Sequence, residues 1–312
     1  MRVMILGAAG FIGTNLAIAL SSVGDIEIVL VDEDYAYFQT LREMAIRNIE
    51  FLEFKHDQMK HFDSLFKGID IVFHLVSTTA PSTSNLCIPQ ELSSNVVYSA
   101  YMLDACVKSG VKRVVFISSG GTVYGKEDNC PISEDMPTYP ISSYGVQKIT
   151  IEKLLYLYKY LYGLDYRVIR LANPYGPYQR PNGMLGAITT FTYKALKHEK
   201  ILVYGDGTVV RDFIYIDDAV KGIINISIGN GNYRVYNLGS GVGTSLLQVL
   251  DAIKGVLGLN LDIEFQESRI VDVPVNYLDV SRYEKEYGKT TSVSIYEGIK
   301  RTADFLMDHY DL

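Results

Sequence analysis

Gly7-Ala8-Ala9-Gly10-Phe11-Ile12-Gly13 stands directly after the run Arg2 to Leu6 and opens a segment of helical spacing. A strand that turns sharply into a helix needs backbone that tolerates unusual dihedrals and close approach, and glycine at every third position supplies both. The free amides at such a helix start, with the positive end of its dipole, accept a pyrophosphate. The spacing is GxxGxxG and not the GxGxxG of the general dinucleotide fingerprint. In isolation, a glycine-rich turn that binds nothing would look the same.

Outward from this junction, as far as about Leu171, short β-branched runs alternate with longer amphipathic segments, the pattern of stacked βαβ units and a parallel sheet. Strands are expected at Arg2 to Leu6, Ile26 to Val31, Glu50 to Lys55, Ile69 to Leu75, Arg113 to Ser118 and Tyr166 to Leu171, with a long helix from Ser142 to Tyr162 between the last two. After Asn173 the pattern loosens: Pro174, Pro177 and Pro181 crowd together with Gly176 and Gly183, which marks the edge of a second lobe. Strands return at Asp212 to Ile216 and Val235 to Leu238, and helices near Ser245 to Leu257 and Ser294 to Met307. The expected fold class is therefore α/β: a Rossmann-type doubly wound parallel sheet over residues 1–173, rejoined by segments near 205–240, with a smaller α/β substrate-binding lobe over 174–312. There is no internal repeat and no flexible linker, so the two are expected to interleave along the chain.

Composition excludes several classes of function. The 312 residues are 48% hydrophobic and 21% charged, the make-up of an ordinary globular protein and not of a disordered one. Twenty-nine basic against 36 acidic residues leave a net charge of −7, without the positive field that attracts nucleic acid. Cys87, Cys106 and Cys130 have no metal-ligand spacing and the five histidines do not cluster, so no metal is expected and a reducing cytoplasm fits. The start of the chain, Arg2 to Leu20, imitates a signal peptide, but Gly7, Gly10, Gly13, Thr14 and Asn15 interrupt what should be a continuous apolar core. No stretch approaches the roughly 18 apolar residues of a membrane span. A soluble chain with its mature N-terminus in place is expected.

Asp32 closes the second strand, 19 positions after Gly13, where a carboxylate accepts from adenosine ribose hydroxyls and repels a 2′-phosphate. Glu33 and Asp34 follow with no nearby arginine, which favours NAD over NADP. His56 and Asp57 offer a polar cap for adenine, although a loop aspartate is as readily just solvated. Tyr144-Gly145-Val146-Gln147-Lys148 places a phenol and an ammonium four residues apart, on one face of the long helix. A free tyrosine titrates near ~10; the lysine charge and a cationic nicotinamide ring both favour the phenolate, so its pKa is expected to fall toward the working range. Alone the pair is weak, because the chain has 24 tyrosines and a surface pair is the bland reading. Behind a nucleotide loop and Asp32 it becomes a candidate reaction centre.

With Ser118-Ser119 ending the fifth strand, these features form an ordered set that resembles the extended short-chain dehydrogenase/reductase family. The closer resemblance is to its NAD-dependent epimerase/dehydratase members, the nucleotide-sugar epimerase branch typified by UDP-glucose 4-epimerase. It runs through nearly the whole chain: Val72-Phe73-His74-Leu75, Asn95-Val96, VVFISSGGTVYG at 114–125, RLANPYGP at 170–177, Gly205-Asp206-Gly207 with RDFIYIDD at 211–218, and Arg269-x-x-Asp272-Val273. The resemblance implies a tightly held NAD that takes hydride from C4 of the sugar while a tyrosine removes the O4 proton. A planar 4-keto intermediate then turns and hydride returns to its other face. Tyr144 would be the general base, and Lys148 would lower its pKa and hold the nicotinamide ribose. The cofactor would lie along Gly7, Gly10, Phe11, Ile12, Gly13, Asp32, Asp57, Gln58, Leu75, Val76, Ser77, Asn95 and Ser118, besides Tyr144 and Lys148.

One departure stands at the reaction centre. Family members carry Ser or Thr five residues before the glycine of Val-Tyr-Gly, and that position here is Gly120, followed by Gly121. Ser119 and Thr122 are the neighbouring hydroxyls, with Ser119 favoured as replacement, although either could merely cap backbone groups. The two glycines also stand in for the Asp-Glu pair of sugar 4,6-dehydratases, which argues against dehydration. In the second lobe the resemblance places Asn173 at the substrate, Met184, Val203 and Tyr204 around the base, and Arg211, Arg269 and Asp272 near the nucleotide. Two arginines can clamp a diphosphate by forked, charge-assisted bonds and an aspartate can accept from a ribose; for Arg211 alone, an ion pair with Asp212 or Asp217 is the bland alternative. Asn276 occupies a position where sugar-restricted members have a bulky tyrosine, so an N-acetyl group beside C2 is expected to be tolerated.

The leading expectation is a 4-epimerase of a UDP-hexose such as UDP-glucose or UDP-N-acetylglucosamine. A 4-keto-sugar reductase is the nearest alternative, and the NAD bias of Asp32 weighs against it. A non-catalytic nucleotide sensor is a third reading, opposed by the retention of both Tyr144 and Lys148. The resemblance also implies a homodimer joined by helices spanning about Gln90 to Ser109 and Ser142 to Tyr162, with Leu154, Leu155, Leu157, Tyr158 and Leu161 on more than one face of the second.

Overall fold

Strand β1 (Arg2–Leu6) is followed by α1 (Phe11–Ser21), β2 (Glu27–Asp32), α2 (Gln39–Glu43), β3 (Ile49–Glu53), β4 (Ile71–His74), α3 (Ile88–Leu92), α4 (Tyr98–Ser109), β5 (Arg113–Ser119), α5 (Ser143–Tyr162) and β6 (Asp165–Leu171). The computed structural model describes residues 1–55, 62, 65–127, 129–181, 186–268 and 273–312. A seven-stranded sheet runs Val235–Leu238, β6, β5, β4, β1, β2, β3. The ladders joining β3, β2, β1, β4 and β5 are parallel throughout. Strand order reverses at β1, and in sheets of this kind the crevice at the carboxyl ends beside that reversal is where nucleotides bind. The α/β doubly wound class read from the sequence is thus the observed one, with strand ends displaced by a residue or two. The helix expected from Gln90 to Ser109 is one helical run in which a π-helical turn, Ser93–Val97, joins α3 to α4.

The chain divides into two compact units. The first comprises Met1–Ser119, Ser142–Ile169 and Ile223–Val235. Alternate residues of its strands, Met4 and Leu6, Val29 and Val31, Val114 and Phe116, Tyr166 and Val168, face one way and pack with Met102, Leu103, Ile151, Leu155 and Tyr158 from α4 and α5. Each such side chain contributes roughly 1.5–3 kcal/mol when fully buried. This core fixes the face that α5 turns inward, and so where Tyr144 and Lys148 emerge.

The second unit comprises Gly120–Ile141, Arg170–Gly222 and Tyr236–Leu312. Its elements, some crossing the unit boundary, are β7 (Asn173–Tyr175), α6 (Ala187–Leu196), β8 (Ile201–Tyr204), β9 (Val210–Tyr215), α7 (Ile216–Ile228), β10 (Val235–Leu238, the sheet edge named above), β11 (Gly243–Ser245), α8 (Leu246–Leu257), β12 (Ile263–Gln266), β13 (Val275–Asn276), α9 (Ser281–Tyr287) and α10 (Ile295–His309). Strand β9 is the organiser: β11 pairs with it antiparallel, and β13 and β7 pair with it parallel. Ser245 starts α8 with a capping box to Gln248. Among the described residues no helix is long and apolar enough to cross a membrane.

Candidate active site

The turn after β1 is held from both sides. The Gly7 and Ala8 amides donate to Val31 O at 2.9 and 3.2 Å. Gly7 has φ +80°, a left-handed conformation that glycine adopts without strain. A Cβ on Gly13 would stand 2.5 Å from Gly7 O and 2.7 Å from Ala8 Cα, so only glycine lets α1 rise so close to the turn. Gly10 caps α1 without any side-chain bond, which leaves the first-turn amides of Phe11, Ile12 and Gly13 without a side-chain cap. Asp32 Oδ2 accepts from Ala9 N at 2.8 Å and Oδ1 from Glu33 N at 2.9 Å, tying the carboxylate at the end of β2 to the same turn. An uncapped helix start beside such a carboxylate fits a dinucleotide, with amides for the pyrophosphate and an acceptor for the ribose.

The chain beyond β4 lies against this turn: Leu75 N donates to Leu6 O at 3.0 Å, and Val76 N is 3.2 Å from where a Gly7 Cβ would stand. Ser77 Oγ donates to Thr79 O at 2.8 Å. Asn95, within the π turn, accepts from Thr78 N and donates to Thr78 Oγ1 and Glu91 O, so its amide holds the segment that follows β4. Of the expected cofactor residues, Asp57 and Gln58, with the neighbouring His56, lie outside the described residues.

Ser142 caps α5 through Gly145 N, and from that start Tyr144 and Lys148 share one face. Lys148 is buried, donates to Ile117 O at 2.9 Å, and holds its Nζ 5.4 Å from the Tyr144 ring centre and 4.8 Å from that of Phe116. Burial pulls the lysine down to about 8, against the pull of the Glu152 carboxylate. Although Tyr144 keeps some exposed surface, the protein around its phenol pushes it up to about 12. Loss of hydration sets that direction in the protein by itself; the expected lowering combined the lysine charge with a cationic nicotinamide ring.

Sequence reasoning missed the groups behind this pair. Ser118 Oγ donates to Glu152 at 2.6 Å, and Glu152 is buried one turn beyond Lys148, where four-residue spacing would have found it. Gln147, inside the motif, bonds Thr79, Ser143 and Glu91. His74 at the end of β4 is fully enclosed; its Nε2 lies 2.8 Å from Ser99 Oγ, which itself donates to Asn95 O, so Nε2 carries the hydrogen. Burial, then the nearby Lys148 charge, lowers His74 to about 3 and keeps it neutral.

Ser119 ends β5 half-buried, and the polypeptide enters the second unit at Gly120. Gly120 N donates to Leu171 O at 2.8 Å. Thr122 Oγ1 is buried and has no hydrogen-bond partner among the described residues. In the same unit Asn173 Nδ2 donates to Asp212 O at 2.8 Å. Val203 is buried and Tyr204 exposed, as alternation along β8 requires. Arg211 Nη1 donates to Val210 O and Val273 O at 2.9 and 2.6 Å, which holds the guanidinium between β9 and the approach to β13. Asp212 accepts from Ser240, Gly241 and Leu278, while Asp217 pairs with Arg301 at 3.5 Å. Asn276 is buried, its Nδ2 3.5 Å from Gly120 O. Met184, Arg269 and Asp272 lie outside the described residues.

A reversal-point glycine turn, an acidic strand end and a half-buried tyrosine beside a buried lysine on α5 define a dinucleotide-dependent α/β protein. The model of the NAD dependent epimerase/dehydratase family matches residues 3–239, and the chain belongs to that family. It is 33% identical over 310 residues to a UDP-glucose 4-epimerase of Mycolicibacterium smegmatis, covering 98% of both chains. It is 30% identical to a dTDP-4-dehydro-6-deoxyglucose reductase of Escherichia coli, covering 96% of this chain and 95% of that one. The crystal structure of a UDP-glucose 4-epimerase from Thermotoga maritima with UDP-glucose superposes with a TM-score of 0.91 at 30% identity, covering 99% of each chain.

Proposed function

We propose that this chain is an NAD-dependent 4-epimerase of UDP-hexoses, an isomerase that oxidises and re-reduces the same sugar carbon. The observation that carries the reading is the Tyr144 and Lys148 pair, a half-buried phenol with the buried lysine's Nζ 5.4 Å from its ring centre, on α5 in the unit that also holds the glycine turn and Asp32. NAD, when bound, supplies a reversible two-electron acceptor for a carbinol carbon. Gly7, Gly10, Gly13 and Asp32 hold it, with Asp57 and Gln58 as further candidates. Tyr144 takes the proton from the sugar's O4, and returns it once the 4-keto sugar has presented its other face. A phenol raised to about 12 ionises only beside positive charge, and Lys148 is the cation this chain places there.

The second unit binds the nucleotide sugar in this reading: Asn173 at the sugar, Met184, Val203 and Tyr204 around the base, Arg211 with Arg269 on the diphosphate, and Asp272 on the ribose. Residues 1–173 correspondingly serve as the NAD-binding domain and 174–312 mainly as the sugar-binding lobe. A cytoplasmic homodimer is part of the proposal. On α5, Leu155 and Tyr158 face the protein's own core, whereas Leu157, Tyr160 and Leu161 are exposed and available to a second copy.

The test is to denature the purified protein and identify any released dinucleotide, while a second aliquot meets UDP-glucose, UDP-N-acetylglucosamine and UDP-glucuronate without added cofactor. Release of NAD together with formation of C4 epimers is the expected outcome. The similarity to the Escherichia coli reductase favours a second reading, reduction of a nucleotide 4-keto sugar. Oxidation of added NADH or NADPH by such a sugar, without epimer formation, would establish that one instead.

A further inference from the structure

Tyr144 stands in the first turn of α5, where backbone amides lack partners within the helix and the place of a side chain depends on how the turn is held. Ser142 Oγ accepts from Gly145 N at 3.2 Å, a cap supplied by the adjoining sequence. The other holds come from the chain between β4 and α3. Asn85 Oδ1 accepts from Ser143 N at 2.7 Å, and Asn85 has φ +77°, a left-handed conformation that asparagine tolerates better than most residues. Thr79 Oγ1 donates to Gln147 Oε1 at 3.0 Å, and Gln147 Nε2 donates to Ser143 Oγ at 2.9 Å. Ser143 and Gln147, one residue before the tyrosine and three after it, are both fastened to this distant segment.

Glu91 of α3 ties the segment and the helix together. Its Oε1 accepts from Cys87 N at 3.1 Å, its Oε2 accepts from Gln147 Nε2 at 3.2 Å and from Asn85 N at 3.4 Å, and the Ser143 hydroxyl bonds to it as well. One carboxylate therefore fixes the left-handed turn that presents Asn85 to α5 and also both helix residues that bracket the tyrosine. An ionised carboxylate only accepts, so Glu91 on one side and the Thr79 hydroxyl on the other determine which way the Gln147 amide faces. Glu91, Ser143 and Gln147 are all buried, where water is a poor substitute for a lost member of such a network. Every group in it belongs to the first unit, together with Tyr144 and Lys148.

We infer that Glu91, acting through Gln147 and the Asn85 turn, is a positioning residue that holds the Tyr144 phenol in its reactive place beside Lys148. This rests on the 4-epimerase reading above. Glu91 touches no reacting atom. A general base must lie within hydrogen-bond reach of the proton it takes, and a displacement of ~1 Å costs about 10²-fold in rate. What the helix turn needs from positions 91 and 147 is an acceptor opposite a donor, so the two side chains are interchangeable as a pair and not one at a time.

The experiment compares wild type with Glu91→Leu, with Gln147→Leu, and with the exchange variant that combines Glu91→Gln and Gln147→Glu. Epimerisation of UDP-glucose, UDP-N-acetylglucosamine and UDP-glucuronate is measured, with kcat expressed per bound NAD so that a misfolded fraction cancels. Each leucine variant is expected to lose about tenfold or more in kcat with KM within about twofold, and the exchange variant to return to within about threefold of wild type. Wild-type kcat in Glu91→Leu overturns the inference, as does a loss confined to KM or an exchange variant no better than the leucines. If Glu91→Leu does not fold, Asn85→Gly decides in its place, since glycine suits the left-handed turn and removes only the bond to Ser143 N: an unaltered kcat overturns the inference and a lowered one supports it. If wild type epimerises none of the three sugars, the epimerase reading falls separately. Amide hydrogen exchange of residues 142–148 then decides for Glu91: faster exchange in the leucine variants, by about tenfold and reversed in the exchange variant, supports the positioning role, and unchanged exchange overturns it.

Discussion

Helix α5 and the loop from Gly120 to Tyr124 solve their chemical tasks in different ways. On α5 the reactive groups are four residues apart and each has a partner close by: Lys148 on Ile117 O, Glu152 on Ser118, Gln147 on Thr79 and Glu91. In the loop, the decisive neighbour of Gly120 is Leu278, 158 positions away, and the Thr122 hydroxyl two residues on has no hydrogen-bond partner among the described residues. The helix is a self-consistent platform whose strain is electrostatic, a cation and a neutral histidine held where water is scarce. The loop is shaped by packing from a distant segment.

The comparison breaks most readily at Tyr144. Tyr144→Phe removes the only proton acceptor assigned on α5 and should lower kcat by about 10³-fold, with NAD still found in the denatured protein. Residual activity near wild type would show that the platform is not the reaction centre. The electrostatic strain itself is read through stability. His74 is lowered to about 3, so between that value and its unfolded value near 6.5 the unfolded chain binds a proton that the folded one refuses. Stability must then fall as the solution is acidified, by ~2 kcal/mol between about pH 6.5 and 5 at ~1.36 kcal/mol per unit. Urea titrations at the two pH values check this, and His74→Gln should flatten the dependence.

Lys148 carries the opposite charge problem. Its folded value of about 8 lies below the usual lysine range, so at neutral pH the fold tolerates an ammonium it would rather not bury. Lys148→Met, which keeps the stem and removes the charge, should raise stability by about 2 kcal/mol after allowing for the lost bond to Ile117 O, while abolishing activity. A variant less stable than wild type would mean that the Glu152 and Ile117 contacts outweigh desolvation. The smallest effect belongs to the second unit. Asn276→Tyr should lower the ratio of UDP-N-acetylglucosamine to UDP-glucose turnover by about tenfold, a steric discrimination of ordinary size; an unchanged ratio would remove Asn276 from the specificity argument.

Much of the first unit was legible because its information is local. The short β-branched runs of β1 to β6, the glycine turn and the four-residue spacing of Tyr144 and Lys148 each express geometry within one element. The end of β2 was misjudged by one residue, which does not move Asp32 off the strand end. The π turn inside the expected Gln90 to Ser109 helix was not legible; it holds Asn95, whose engagement with Thr78 is a tertiary contact. The desolvation that raises the Tyr144 phenol was hidden for the same kind of reason: sequence shows the neighbouring charge and conceals the burial.

By itself the sequence determined the α/β class, the parallel sheet, the nucleotide turn and the face of α5 that carries Tyr144 and Lys148, because backbone periodicity and glycine sterics act over a few residues. Only the tertiary structure decided that Val235–Leu238 closes the edge of the seven-stranded sheet, that Glu152 and His74 surround Lys148, and that Leu278 occupies the space above Gly120. Those outcomes depend on which atoms are excluded from water and from one another, and exclusion exists only once distant segments are packed.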